Sequence, residues 1–147
     1  RIYREIDELP AGASFSSVRN VYISQNHSKG TLRGFHRQRE PFGESKILTC
    51  LSGKAFHVLI SIIDNHLVVD TNLLDSEKSN ATLVPKECYS AFLTLEESTN
   101  ILYLVDQDYS PDHAEGIRWN DPSLPYIAWP MGPLVISVQD LNYKLIS

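Results

Sequence analysis

The chain has 147 residues, 42% of them hydrophobic and 21% charged, which suits one globular domain with one core. A formal net charge of −5 is not that of a protein built to bind nucleic acid or an anionic membrane. No apolar run approaches the about 18 residues of a membrane span. Two cysteines, Cys50 and Cys88, are too few for a disulfide scaffold and lack zinc-ligand spacing. With no signal peptide legible, the expectation is a cytoplasmic protein with reduced thiols.

In chain order, YREIDEL (3–9) has the look of a helical turn, with little behind it. Then come short segments rich in β-branched and aromatic residues, at 18–24, 31–37, 45–51, 54–63, 66–70, 81–84, 89–95, 100–106 and 133–137. Turn-forming residues separate them, and Asp64–Asn65 predicts a tight hairpin between 54–63 and 66–70. No segment holds a helical apolar stripe over three turns. Along 54–63, Phe56, Val58, Ile60 and Ile62 share an apolar face, while Ala55, His57, Leu59 and Ser61 share a face with polar atoms. Regularly spaced strands with one packed and one polar side predict an all-β sandwich, barrel or jelly roll. Residues 105–133 are rich in Pro, Asp, Tyr and Trp, and are expected to cross the barrel mouth or a subunit interface.

The strand GTLRGFHRQ (30–38) carries polar side chains that a sheet has no need of. Arg33 suits a phosphate or keto oxygen. His36 suits proton transfer, although a lone strand histidine is more often merely satisfied by a neighbour. Strict alternation puts the two on opposite faces, so both reach one pocket only if the strand is kinked between them, and Gly34 is the place for that. Lys46 opens the next strand, where a cation could stabilise developing negative charge. Tyr103, by spacing alone, reads as a core tyrosine, with Tyr109 six residues on. Asp140 reads as a turn or helix-cap carboxylate, though a histidine base commonly needs a carboxylate to fix its tautomer. His36 and Gln38 are poorly suited as a ligand pair, so no metal is expected.

NHSKGTLRGFHRQ, SKILTCLSG, LVPKECYSAF, YSPDHAEGIRWNDPSL and the late AWP and ISVQD resemble, in order and spacing, the blocks of the dTDP-4-dehydrorhamnose 3,5-epimerases. The resemblance covers nearly the whole chain. It implies a cupin-type double-stranded β-helix (jelly roll) over 1–147, a homodimer, and no cofactor. Epimerisation would remove a proton beside a C4 ketone and return one from the other face. By the same resemblance His36 is the base, Asp140 its dyad carboxylate, Tyr103 the acid and Lys46 the cation near the enolate. Arg33, Gln38, Asn26 and Tyr109 would bind substrate. Tyr3 and Glu5 would hold the nucleotide base, within residues 1–8 crossing to the partner subunit.

Two positions depart from the family pattern: His57 stands where it has an aspartate, and Ser90 where it has a histidine. Both are expected to face the sugar, with His57 donating a hydrogen bond and Ser90 adding a weaker one. The change points to epimerisation at C3 only, on a dTDP- or CDP-linked 4-keto-6-deoxyhexose. The setting would be deoxysugar or surface-polysaccharide (O-antigen) biosynthesis. The alternatives are a keto-isomerase or dehydratase on a related sugar nucleotide, and a non-catalytic sugar-nucleotide binder.

Overall fold

A computed structural model describes residues 5–6, 15 and 17–146 as a jelly roll of two sheets. The strands are β1 (Glu5–Ile6), β2 (Asn20–Asn26), β3 (Thr31–Gln38), β4 (Lys46–Ser52), β5 (Lys54–Ile63), β6 (His66–Asp75), β7 (Asn80–Val84), β8 (Tyr89–Thr94), β9 (Thr99–Val105), β10 (Ala114–Gly116) and β11 (Val135–Ile136). One four-residue helix, α1, spans Val138–Leu141. The first sheet has the order β1-β7-β4-β9-β2. The second has the order β10-β3-β8-β5-β6, with β11 also pairing with β3.

Local sequence accounts for most of these boundaries. Asp64 and Asn65 both have positive φ, 49° and 63°, so β5 and β6 join through a two-residue turn whose twist matches that of the strands. The helical reading of 3–9 is not upheld where it can be judged. Glu5 and Ile6 are extended and pair in parallel with Asn80 and Ala81 of the same chain. The free edge of β7 offers backbone hydrogen bonds that a lone helical turn in water cannot match. The rest of that segment, Tyr3 included, lies outside the described residues.

Two apolar clusters divide the faces of β5. Ala55 and Leu59 join Leu48, Cys50, Leu74, Val84, Phe92 and Ile101 between the sheets. Val58 and Ile60 join Phe35, Tyr89 and Ala91 on the outer face of the second sheet. That outer face is covered by the stretch expected at the mouth or an interface. Residues 107–109 do line a cavity at the mouth, but Ile117, Trp119, Leu124, Ile127 and Trp129 fold back over the sheet. Trp129 packs its ring 5.8 Å from Phe56 and 6.1 Å from Phe35. Burying such side chains, at about 1.5–3 kcal/mol each, is what ties down a segment without regular structure.

The irregularity in β3 sits where the alternation argument required it. Leu32 and Arg33 face Leu93 and Phe92, His36 faces Ser90, and the register shifts between Arg33 and His36. Gly34 has φ +116°, and a Cβ there would stand 2.5 Å from the Ser90 carbonyl oxygen and 2.8 Å from the Ala91 Cα. Only glycine fits both the conformation and the approach. Gly34→Ala is therefore expected to cost on the order of 1–3 kcal/mol. Urea unfolding at neutral pH checks this; an unchanged midpoint would show that the strand can relieve the contact.

Candidate active site

The kink turns Arg33 and His36 into one cavity of about 390 Å³, lined also by Tyr22, Lys46, Ser90 and Tyr103. A second cavity, of about 520 Å³, shares Tyr22, His36 and Lys46 and continues past Gln38, Asp108, Tyr109 and Tyr143. His36 comes from the second sheet, while Lys46 and Tyr103 come from β4 and β9 of the first. A ligand between the sheets thus meets His36 on one side and Tyr103 on the other.

Asp140 fixes the histidine. Its Oδ1 lies 2.6 Å from His36 Nε2, and its Oδ2 accepts from the Gly34 N–H at 3.1 Å. The carboxylate arrives on α1, whose N-cap, Ser137, accepts from the Asp140 N–H. The helix is delivered by β11, paired with Thr31 and Leu32. Burial works to raise the Asp140 carboxyl, but the hydrogen bond and charge of His36 and the Gly34 N–H outweigh it and hold it below the usual aspartate range. Asp140 therefore stays ionised, so His36 Nε2 carries the proton that it donates and Nδ1 is left as the basic nitrogen.

Tyr103 stacks on Tyr22 at 4.5 Å with 14° between the rings. Burial, with Tyr22 and the charge of Glu44, drives the Tyr103 hydroxyl well above an ordinary tyrosine, so it is protonated and able to donate. Lys46 is buried and paired with Glu44 at 3.0 Å. In the smaller cavity Arg33 and Lys46 supply positive charge, and among the described residues no carboxylate lines the wall. Negative charge developing on a bound ketone would be stabilised there.

Other candidates serve as supports. Asn26 accepts from Arg33 Nε at 2.8 Å and donates to the Thr99 carbonyl, so it aims the arginine. Gln38 donates to the carbonyls of Phe42 and Asp108 and accepts from the Ser110 N–H, bracing the mouth. Tyr109 is exposed on the wall of the larger cavity. Glu5 is described only through its strand pairing. His57 departs from expectation: it is 1% exposed and lines neither of these two cavities, because it sits behind Ser90. Among the described residues no group of three or more His, Cys, Asp or Glu side chains is placed to hold a metal ion.

Sequence reasoning missed Tyr143 and Gln139. The Tyr143 ring lies over Gly116, in space that a Cβ there would enter, and meets the His36 ring edge-on at 5.9 Å between centroids. Its hydroxyl accepts from Gln139 at 3.3 Å. Gly116 faces His36 across β3 and β10, so this glycine makes room for a tyrosine that backs the dyad. Nothing local around Gly116 or Tyr143 announces that contact.

A model of the dTDP-4-dehydrorhamnose 3,5-epimerase family matches residues 3–147. The chain belongs to this family. It is 36% identical to the dTDP-4-dehydrorhamnose 3,5-epimerase of Sinorhizobium fredii over 76% of this chain and 58% of that one. The Bacillus anthracis enzyme, solved with TDP and pyrophosphate bound, superposes with a TM-score of 0.82 at 29% identity, covering 88% of this chain and 75% of that one. ChmJ, a 3'-monoepimerase of Streptomyces bikiniensis solved with dTDP-quinovose, gives a TM-score of 0.79 at 28% identity, covering 88% and 66%. The chain spans 57–70% of the length of the first curated relatives it matches. The jelly-roll expectation is thus confirmed by both the strand order and these neighbours.

The buried histidine has a consequence for stability. Burial lowers the His57 pKa from 6.5 to about 4, the nearby charge of Lys46 acting the same way and the Asn72 hydrogen bond opposing. Unfolded, the ring takes a proton below about 6.5; folded, it does not until about 4. The unfolded state therefore binds more protons in that window, and stability falls as pH drops through it, by up to about 3 kcal/mol. His57→Gln should flatten this dependence relative to wild type in urea titrations between pH 7 and pH 4.5. Parallel pH curves for the two proteins would show that His57 is not the group responsible.

Proposed function

We propose that this chain is an epimerase of a nucleotide-linked 4-keto-6-deoxyhexose, acting by proton removal beside the ketone. The observation that carries the reading is the His36–Asp140 dyad at 2.6 Å, with Tyr103 and Lys46, from the other sheet, on the wall of the same cavity. A C4 ketone acidifies the hydrogens on C3 and C5. His36 Nδ1 takes one, and Asp140 stabilises the imidazolium that forms. The electron pair moves onto the ketone oxygen as an enolate, beside Lys46 or Arg33. Tyr103 then protonates the same carbon from the opposite face, which inverts it. Family membership and the ligands of the neighbours support dTDP as the nucleotide, with CDP the other candidate.

Replacement of the family's aspartate and histidine by His57 and Ser90 favours inversion at C3 alone, and ChmJ is a 3'-monoepimerase of the same fold. A homodimer is part of the proposal, supported by the outer edge of β2, which pairs with no further strand among the described residues and where Val21, Tyr22 and Ile23 are exposed beside the cavities. No helix among the described residues is long and apolar enough to cross a membrane. We place the enzyme in the cytoplasm, in deoxysugar or surface-polysaccharide synthesis. A keto-isomerase or dehydratase using the same base is the second reading.

Incubation with dTDP-4-keto-6-deoxyglucose in deuterium oxide tests this. Deuterium is expected at C3 and not C5; no exchange with either the dTDP or the CDP sugar would reject the enzymatic reading. His36→Asn should lower exchange by at least about a hundredfold while nucleotide affinity stays within a few-fold, because the base acts in the transition state. Exchange near the wild-type rate would remove His36 from the role. Tyr103→Phe should separate the half-reactions, leaving partial exchange but little inversion. Equal losses of both would count against Tyr103 as the acid.

A further inference from the structure

Asn72, His57 and Ser90 are bonded in series across three neighbouring strands of the second sheet. His57 Nδ1 is 3.0 Å from Asn72 Oδ1, and His57 Nε2 is 2.9 Å from Ser90 Oγ. An amide oxygen only accepts, so Nδ1 carries the proton of the neutral ring and Nε2 is the lone pair. Burial keeps the ring neutral, and its lowered pKa agrees. The hydroxyl proton of Ser90 is therefore committed to His57. What Ser90 turns toward the cavity is a pair of oxygen lone pairs and no donor.

Ser90 stands opposite His36 in the β3–β8 ladder. Side chains so paired have Cβ atoms about 5 Å apart. The acceptor thus lies beside the proposed base, on the wall of the smaller cavity, with only 8% of the residue exposed. A keto oxygen, an enolate and a phosphate are all acceptors themselves and gain nothing there. Arg33 and Lys46 are the groups in this wall that suit them.

We propose that Ser90 is a specificity-determining residue, accepting a hydrogen bond from a substrate hydroxyl on the carbon that His36 deprotonates or on the next one. Asn72 and His57 are positioning residues that hold Ser90 as an acceptor. The inference rests on the sugar-nucleotide reading above. It adds that the sugar must present a donor at this point, and that a deoxy sugar there would leave a buried oxygen without its partner.

Two measurements test it. In the ligand-free protein, long-range proton–nitrogen NMR of labelled histidine should show His57 as the Nδ1–H tautomer. An Nε2–H tautomer would overturn the inference, since Ser90 would then be free to donate. Binding is then compared by calorimetry for dTDP-quinovose and its 2-deoxy and 3-deoxy analogues. One of the two analogues should bind on the order of tenfold more weakly to wild type, and Ser90→Ala should abolish that difference. Equal binding of all three to wild type, or a difference that persists in Ser90→Ala, would overturn the assignment. Failure of both dTDP-quinovose and its CDP counterpart to bind would instead reject the sugar-nucleotide reading, and the hydroxyl assignment with it.

Discussion

Asp140 is a buried carboxylate with two oxygens and two obligations, and the site depends on its meeting both. One oxygen takes the His36 ring and the other the Gly34 N–H. Burying an ionised carboxyl without partners is prohibitive, so the pairings are the condition for its being there. Through them a single side chain ties the orientation of His36 to the irregular backbone that presents it. The same carboxylate anchors the end of the chain, because α1 and β11 must lie along β3 for the contact to exist. Tyr143 follows directly and closes over Gly116 behind the ring.

A two-sheet barrel suits chemistry on two faces of one ring. Strands from opposite sheets project side chains toward each other across a gap that packed side chains otherwise fill. Here the filling is apolar on one part of the inner face, where Leu48, Leu59, Leu74 and Phe92 meet. The row Asn72, His57, Ser90 and His36 breaks that filling across β6, β5, β8 and β3. A cavity opens where polar groups replace the hydrocarbon. Lys46 stands across it, already paired with Glu44, so its charge is fixed in place before any ligand arrives.

Much of this was legible in the residues. Strands flanked by clear turns could be read because period two shows over five or more residues, and the misfit between Arg33 and His36 pointed to Gly34. The short strand β10 carries no period to read, and α1 is a single turn, whereas β11 falls within the strand read at 133–137. Asp140, seen locally, is only a helix-cap carboxylate; its link to His36 spans 104 positions and came from the family resemblance alone. Residues 105–133 read as a loop at the mouth or an interface because they are rich in Pro, Asp, Tyr and Trp. Yet Trp119, Ile127 and Trp129 supply the apolar area that sends 117–129 to the outer face.

His57 shows most clearly what alternation can and cannot give. It assigned the ring correctly to the inner face with Ala55 and Leu59, but a face is not a depth. Whether an inward side chain reaches the ligand depends on what stands in front of it, and here Ser90 does. The exchange of residue types then acquires a physical sense. A carboxylate–histidine pair brings charge that must be desolvated as the site closes. A neutral amide, imidazole and hydroxyl in series cost less to bury and bring no net charge to the site. Positive charge in the smaller cavity is thereby left to Arg33 and Lys46. In the proposed reaction, stabilisation of an enolate is concentrated at one corner of the sugar, and the Ser90 side is left to recognise shape and hydroxyl pattern. On the proposed reading, a site so divided distinguishes the two carbons beside the ketone by charge on one side and by hydrogen bonding on the other. That asymmetry is the physical support for the proposal that inversion occurs at a single centre.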